Sequence, residues 1–115
     1  MSLSTVVAKM DEMIVNGQII EAVSAYFSDD ATTKDFDGTV TTGKPLMLEK
    51  MNNFLGGIQK VNGITLHQSA VGNDVSMSEY TFDFDMKDGS KVLWHEIIRR
   101  LWKDGKVVNE QYFTN

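Results

Sequence analysis

From residue 74 to the end, apolar and polar positions alternate with a period of two, broken by two turns of the same spelling. These are Lys87-Asp88-Gly89-Ser90 and Lys103-Asp104-Gly105-Lys106. Asp-Gly between alternating runs is a strong hairpin signal, because a type I′ turn needs positive φ at both central residues. The pattern predicts a three-strand meander over 75–87, 90–103 and 106–114.

Turn length sets which side chains share a face. With two-residue loops, Tyr80 and Phe82 lie with His95, Ile97, Arg99, Glu110 and Tyr112 on one face. The other face then carries Trp94, Glu96, Ile98, Arg100, Trp102, Val107 and Phe113. Three-residue loops with a bulge at the glycine shift the pairing by one and exchange the two sets.

Upstream, the period changes to that of helices. Val6, Met10, Met13 and Ile14 form one stripe over residues 4–16, with Ser4 as N-cap and Asn16-Gly17 as the stop. Residues 18–27 form a second helix ending at Ser28-Asp29-Asp30. Two short threonine-rich strands, 31–36 and 39–42, flank Asp37-Gly38. A third helix opens near Pro45, the only proline, buries Met47, Met51 and Phe54, and stops at Gly56-Gly57. A strand over 60–71 leads into the meander. The order α-α-β-β-α-β-β-β-β, with helices early and strands consecutive, predicts an α+β fold.

At 115 residues the chain is read as a single domain spanning 1–115. A net charge of −5 with no basic cluster argues against nucleic acid and anionic membrane surfaces. The absence of cysteine removes disulfides and thiolate chemistry, and no leader or membrane span is visible. The expectation is a cytoplasmic protein without a cofactor.

Several local marks occur in a telling order. Gly17 precedes the second helix, Tyr26-Phe-Ser-Asp-Asp-Ala-Thr32 is followed by Asp35, Gly43 precedes the third helix, and the chain ends Asp104-Gly-Lys-Val-Val-Asn-Glu-Gln-Tyr-Phe113. In this the whole chain resembles the SnoaL-like and ketosteroid isomerase-like proteins of the nuclear transport factor 2-like superfamily. The resemblance implies a curved sheet wrapped as a cone around three helices, an apolar pocket for a small organic molecule, and a dimer packing sheet on sheet. It places Asp35 where the isomerases hold their proton-transferring base. Their oxyanion donors, a first-helix tyrosine and a sheet aspartic acid, fall at Met10 or Asp11 and at about Ile97. Neither match can donate, which argues against steroid isomerisation by that mechanism.

The candidate catalytic residues are Asp35, His95 and Arg99. Asp35 is a base or an exposed acid beside Lys34. His95 is a proton shuttle or a core imidazole. Arg99, expected opposite Glu110, is an anion-steadying group or half of an ion pair. Tyr26, Phe54, Tyr80, Phe82, Ile97, Glu110 and Tyr112 are the expected ligand contacts. Trp94, Ile98, Trp102, Val107 and Phe113 are the expected dimer face. His67 and His95 show no metal-ligand spacing. Two function classes stand: a cofactor-free acid–base enzyme of isomerase, cyclase or dehydratase type, and a non-catalytic binding or assembly module.

Overall fold

A computed structural model describes residues 2–114. Ser2, not Ser4, caps the first helix, its Oγ accepting from the Thr5 N–H at 3.3 Å. Helix α1 (Leu3–Val15) ends through Gly17, whose φ of +82° suits a residue without Cβ. Helix α2 (Ile19–Tyr26) is shorter than its apolar run implied, and strand β1 (Phe27–Lys34) starts directly after it. Ser28-Asp29-Asp30 is therefore strand, not a terminator. Pairing decides this, since Phe27 meets Val107 across a parallel ladder. Two lysine ammonium groups close the C-terminal end of α2, where helix carbonyls lack partners. Lys44 donates to the Ser24 and Phe27 carbonyls at 3.2 and 3.1 Å, and Lys106 donates to that of Ala25 at 2.7 Å.

The remaining elements are β2 (Val40–Thr42), α3 (Lys44–Gly56), β3 (Ile58–Val71), β4 (Val75–Met86), β5 (Lys91–Lys103) and β6 (Lys106–Thr114). Among the described residues the element order is the expected one. The strands form one open sheet ordered β2-β1-β6-β5-β4-β3, antiparallel except where β1 meets β6. The helices cover its inner face with Val7, Met10, Ile14, Val23 and Met47, against Tyr80, Phe82, Phe84, Ile98 and Trp102. No described helix is long and apolar enough to cross a membrane.

Register departs from the two-residue-loop reading, and it does so twice. At the first hairpin the Met86 N–H bonds the Ser90 carbonyl at 2.9 Å, leaving Lys87-Asp88-Gly89 as a three-residue loop. Gly89 takes φ +88°, and the Asp88 carboxylate accepts from the Ser90 N–H at 2.9 Å. Consequently Phe82 faces Trp94, and Tyr80 faces Glu96. The second hairpin has the expected two-residue turn, with Asp104 at φ 52° and Gly105 at φ 77°. Past it, however, Trp102 pairs with Val107 while Leu101 pairs with Asn109, so Val108 is the extra residue of a bulge. Arg100 then faces Glu110, and Ile98 faces Tyr112.

Two one-residue insertions, one beside each end of β5, invert that strand together with the start of β6 up to the bulge. Tyr80, Phe82, Glu110 and Tyr112 stay inside as expected. His95, Ile97 and Arg99 turn outward, whereas Trp94, Ile98, Trp102 and Val107 turn inward. Of the expected dimer face only Phe113 remains outside, paired with Ile97.

Trp102 shows what inward placement demands. Its indole N–H, buried near the turn end of β5, donates to Ser76 Oγ at 2.9 Å, and Ser76 is fully buried. Ser76→Ala would strand that donor, with an expected loss of roughly 1–3 kcal/mol in urea unfolding. Wild-type stability in the alanine variant would refute the bond.

Candidate functional site

The helices do not fill the concave side of the sheet. Between them lies a cavity of about 330 Å³. Met10, Met47 and Met51 from the helices and Phe54, Phe82 and Phe84 supply most of its wall. Trp94 joins them from β5, stacked on Phe54 with ring centroids 5.3 Å apart. Phe36 meets Trp94 edge-on at 5.9 Å.

Into this wall the sheet inserts a row of ionisable groups. Alternation along β5 brings Glu96 and Arg100 to the inside with Trp94, Ile98 and Trp102. Arg100 is 2% exposed; its Nε donates to Glu110 Oε2 at 2.8 Å, and Thr33 Oγ1 donates to the other oxygen of Glu110 at 3.2 Å. On its far side the guanidinium lies 3.9 Å from Asp11. Asp11, buried on α1, also accepts from Ser78 Oγ at 2.9 and 3.0 Å and from the Tyr80 hydroxyl at 2.5 Å. Helix α1, β4, β5 and β6 are thus joined by one buried network, in which a single cation, Arg100, stands between two carboxyl groups.

Glu96 is different. It is 5% exposed, it lines the cavity, and among the described residues nothing hydrogen-bonds its carboxyl. Burial first, then repulsion by Glu110 and Asp35, push it up to about 7, against the opposing charge of Arg100. Asp35 enters from the turn after β1, its N–H donating to the Thr39 carbonyl at 2.9 Å. Burial raises its pKa as well; Lys50 opposes that rise, while Asp37 and Glu110 add to it. Tyr112 lines the cavity too, its hydroxyl raised well above the ordinary value by burial and by the Glu110 charge.

Of the residues expected from sequence, the cavity brings together Asp35, Phe54, Phe82, Glu110 and Tyr112. Tyr80 is buried away from the lining, bonded to Asp11, and Tyr26 packs edge-on against Trp102 at 6.4 Å. His95 is on the outer face, its Nε2 2.5 Å from Glu79 Oε2, so it does not reach the cavity. Arg99 and Ile97 share that outer face, because an odd-numbered β5 residue points away from Arg100. His67 bonds Thr81 at 2.7 Å beside His95, with ring centroids 5.2 Å apart, and no metal-binding group of three His, Cys, Asp or Glu occurs among the described residues.

Sequence reasoning missed Glu96, Arg100 and Asp11 as site residues. The signal was present for the first two. Trp94-x-Glu96-x-Ile98-x-Arg100-x-Trp102 puts a carboxyl and a guanidinium on the most apolar face of the meander. An acid and a base at such positions are expected to face each other's partners or a ligand. Asp11 gave no comparable signal.

No protein-family model matches the sequence, and no curated protein matches it. Solved structures do. A candidate SnoaL-like polyketide cyclase from Mesorhizobium loti superposes with a TM-score of 0.88 at 22% identity, covering 98% of this chain and 99% of that one. An LEH-like epoxide hydrolase from M. tuberculosis gives 0.77 at 13% identity, covering 96% and 84%. A nuclear transport factor 2-like protein of unknown function from Burkholderia pseudomallei gives 0.79 at 10%, covering 97% and 89%. The open cone of six strands over three helices is therefore the SnoaL-like, nuclear transport factor 2-like fold.

Proposed function

We propose that the chain is a cofactor-free acid–base catalyst acting on a small, largely apolar organic molecule held in the cavity, in a reaction of isomerase, cyclase or dehydratase type. The observation that carries this reading is Glu96, a residue 5% exposed whose carboxyl, without a hydrogen-bond partner among the described residues, opens on the same cavity as Asp35. Two titratable groups whose surroundings treat them differently divide acid and base roles between them. Lys50 favours the ionised form of Asp35, whereas Glu96 keeps its proton up to about pH 7. Asp35 would take a proton from carbon, the C–H electron pair would move into a neighbouring carbonyl, and Glu96 would donate to the oxygen as charge develops there. Asp35 then gives its proton to another carbon while the enol O–H returns its proton to Glu96, re-forming the carbonyl and completing the cycle.

Glu96 also bears on the objection that the isomerase-type donors are missing. The expected sheet position was about Ile97; Glu96, one residue earlier, is the group that faces the cavity. A protonated carboxyl at that place can serve as a donor. The reactions named for the Mesorhizobium loti and M. tuberculosis proteins, cyclisation and epoxide opening, are ones that proton movement can drive.

The test is exchange of deuterium from solvent into a panel of small enolisable ketones, together with turnover of epoxides. Asp35→Asn and Glu96→Gln should each lower the rate on any accepted substrate by about 10²- to 10⁴-fold. Because Glu96 must be protonated, kcat/KM should fall as pH rises through about 7. Binding without turnover across the panel, or full turnover in both variants, would overturn the reading.

A further inference from the structure

The cavity has an electrostatic character that proton transfer to a neutral substrate does not require. Four carboxyl groups line it, those of Asp35, Asp37, Glu96 and Glu110, against two cations, Lys50 and Arg100. Arg100 is matched by Glu110 and Lys50 offsets one further carboxyl, which leaves two of the four without a cation. Arg100 is bound to Glu110 at 2.8 Å, and Lys50 Nζ donates to Thr41 Oγ1 at 2.8 Å. The cavity residues contributed by α1 and α2, which include Met10, Ile14, Ile19 and Val23, are uncharged. The unmatched charge is therefore negative and lies toward β1 and β5.

Glu96 is the second, independent observation. Glu96 is 5% exposed, and its carboxyl, with no hydrogen-bond partner among the described residues, is accessible from the cavity, where a donor or a cation from outside the protein can reach it. Around it the wall is aromatic, with Phe54 and Trp94 stacked and Phe82 and Phe84 beside them. Aromatic faces carry negative electrostatic potential and attract an alkylammonium group that neutral hydrocarbon of the same shape cannot match.

We propose that the cavity also takes up small organic ammonium ions, the charged nitrogen seated against the Glu96 carboxylate and the apolar body against the aromatic wall. This is a binding activity separate from turnover. A bound cation holds Glu96 ionised and so removes the proton donor, which makes such ions inhibitors of the proposed reaction. Uptake strengthens as pH rises, because Glu96 loses its proton near pH 7 while Arg100 remains paired with Glu110. Asp35, raised by burial, acts in the same sense; Asp37, held low by hydrogen bonds from Thr39, attracts the cation at every pH, Lys50 repels it, and Tyr112 stays neutral across the range.

Trimethylphenylammonium and tert-butylbenzene have the same shape and differ by one positive charge, so their binding can be compared directly by tryptophan fluorescence and by amide NMR shifts. At pH 8.5 the cation should bind at least about tenfold more tightly than the neutral isostere. That preference should shrink severalfold at pH 5.5, and Glu96→Gln should lose most of it at pH 8.5. The pH comparison uses the unaltered protein, so it decides the question even if the variant folds poorly. Equal or tighter binding of tert-butylbenzene at pH 8.5, or a preference that does not change with pH, would overturn the proposal. Since no turnover is measured, that outcome would leave the acid–base reading standing.

Discussion

Replacing Arg100 with methionine should lower stability by roughly 3–5 kcal/mol in urea unfolding at neutral pH. The guanidinium is 2% exposed and stands between Glu110, at 2.8 Å, and Asp11, at 3.9 Å. Methionine fills similar space but leaves two buried carboxylates facing each other without the cation. A domain of this size has a total stability of roughly 5–15 kcal/mol, so the loss is a large part of the whole. Adding Glu110→Gln to that variant should recover part of it, because the second change removes one stranded charge. The two losses will then be non-additive by an amount on the order of 0.5–3 kcal/mol. A loss below about 1 kcal/mol for the single variant would mean that Arg100 is not the pivot of the network.

Glu96→Gln should have the opposite effect on stability while removing activity. In the folded protein Glu96 is raised from its ordinary 4.5 to about 7. Between those values the folded state binds more protons than the unfolded chain, so stability falls as pH rises through that window and levels off above it. A shift of this size corresponds to roughly 3 kcal/mol at about 1.4 kcal/mol per pKa unit. Glutamine cannot ionise, so the variant should be more stable than wild type by roughly 2–3 kcal/mol at pH 8, and by little or nothing at pH 4.5. The difference between the two proteins isolates Glu96 from Asp35, whose raised pKa acts in the same direction. A stability difference that is flat from pH 4.5 to 8 would show that Glu96 is ionised in the folded protein at neutral pH. A site that destabilises its own fold in this way fits a functional demand on the residue better than a structural one.

The two largest effects both fall on β5, the strand whose facing the alternation pattern left to a single question of loop length. Both spellings of the turn contain Asp-Gly, and the two turns nonetheless differ. Gly89 ends a three-residue loop, whereas Asp104 and Gly105 form a two-residue one. In the first, the Asp88 carboxylate binds Ser90, in both its N–H and its hydroxyl; Lys106 occupies the corresponding place in the second and is drawn to the α2 C-terminus. The bulge at Val108 has no local marker at all. It lets Trp102 and Val107 pair while Arg100 meets Glu110, and both pairings are long-range choices of the packed core.

Periodicity and turn chemistry by themselves determined the number, order and type of elements, the α+β class, and the inward positions of Phe54, Phe82, Glu110 and Tyr112, while Asp35 was marked by the family resemblance. Those features depend on residues near one another in sequence, or on strands that did not change face. Tertiary structure alone decided that His95 and Arg99 look outward while Glu96 and Arg100 look inward, and that Asp11 reaches across from α1 to Arg100, Ser78 and Tyr80. The physical reason is the period of two: one inserted residue exchanges the faces of a whole strand, and the energy that selects the insertion comes from burying Trp102, Ile98 and Trp94 under the helices.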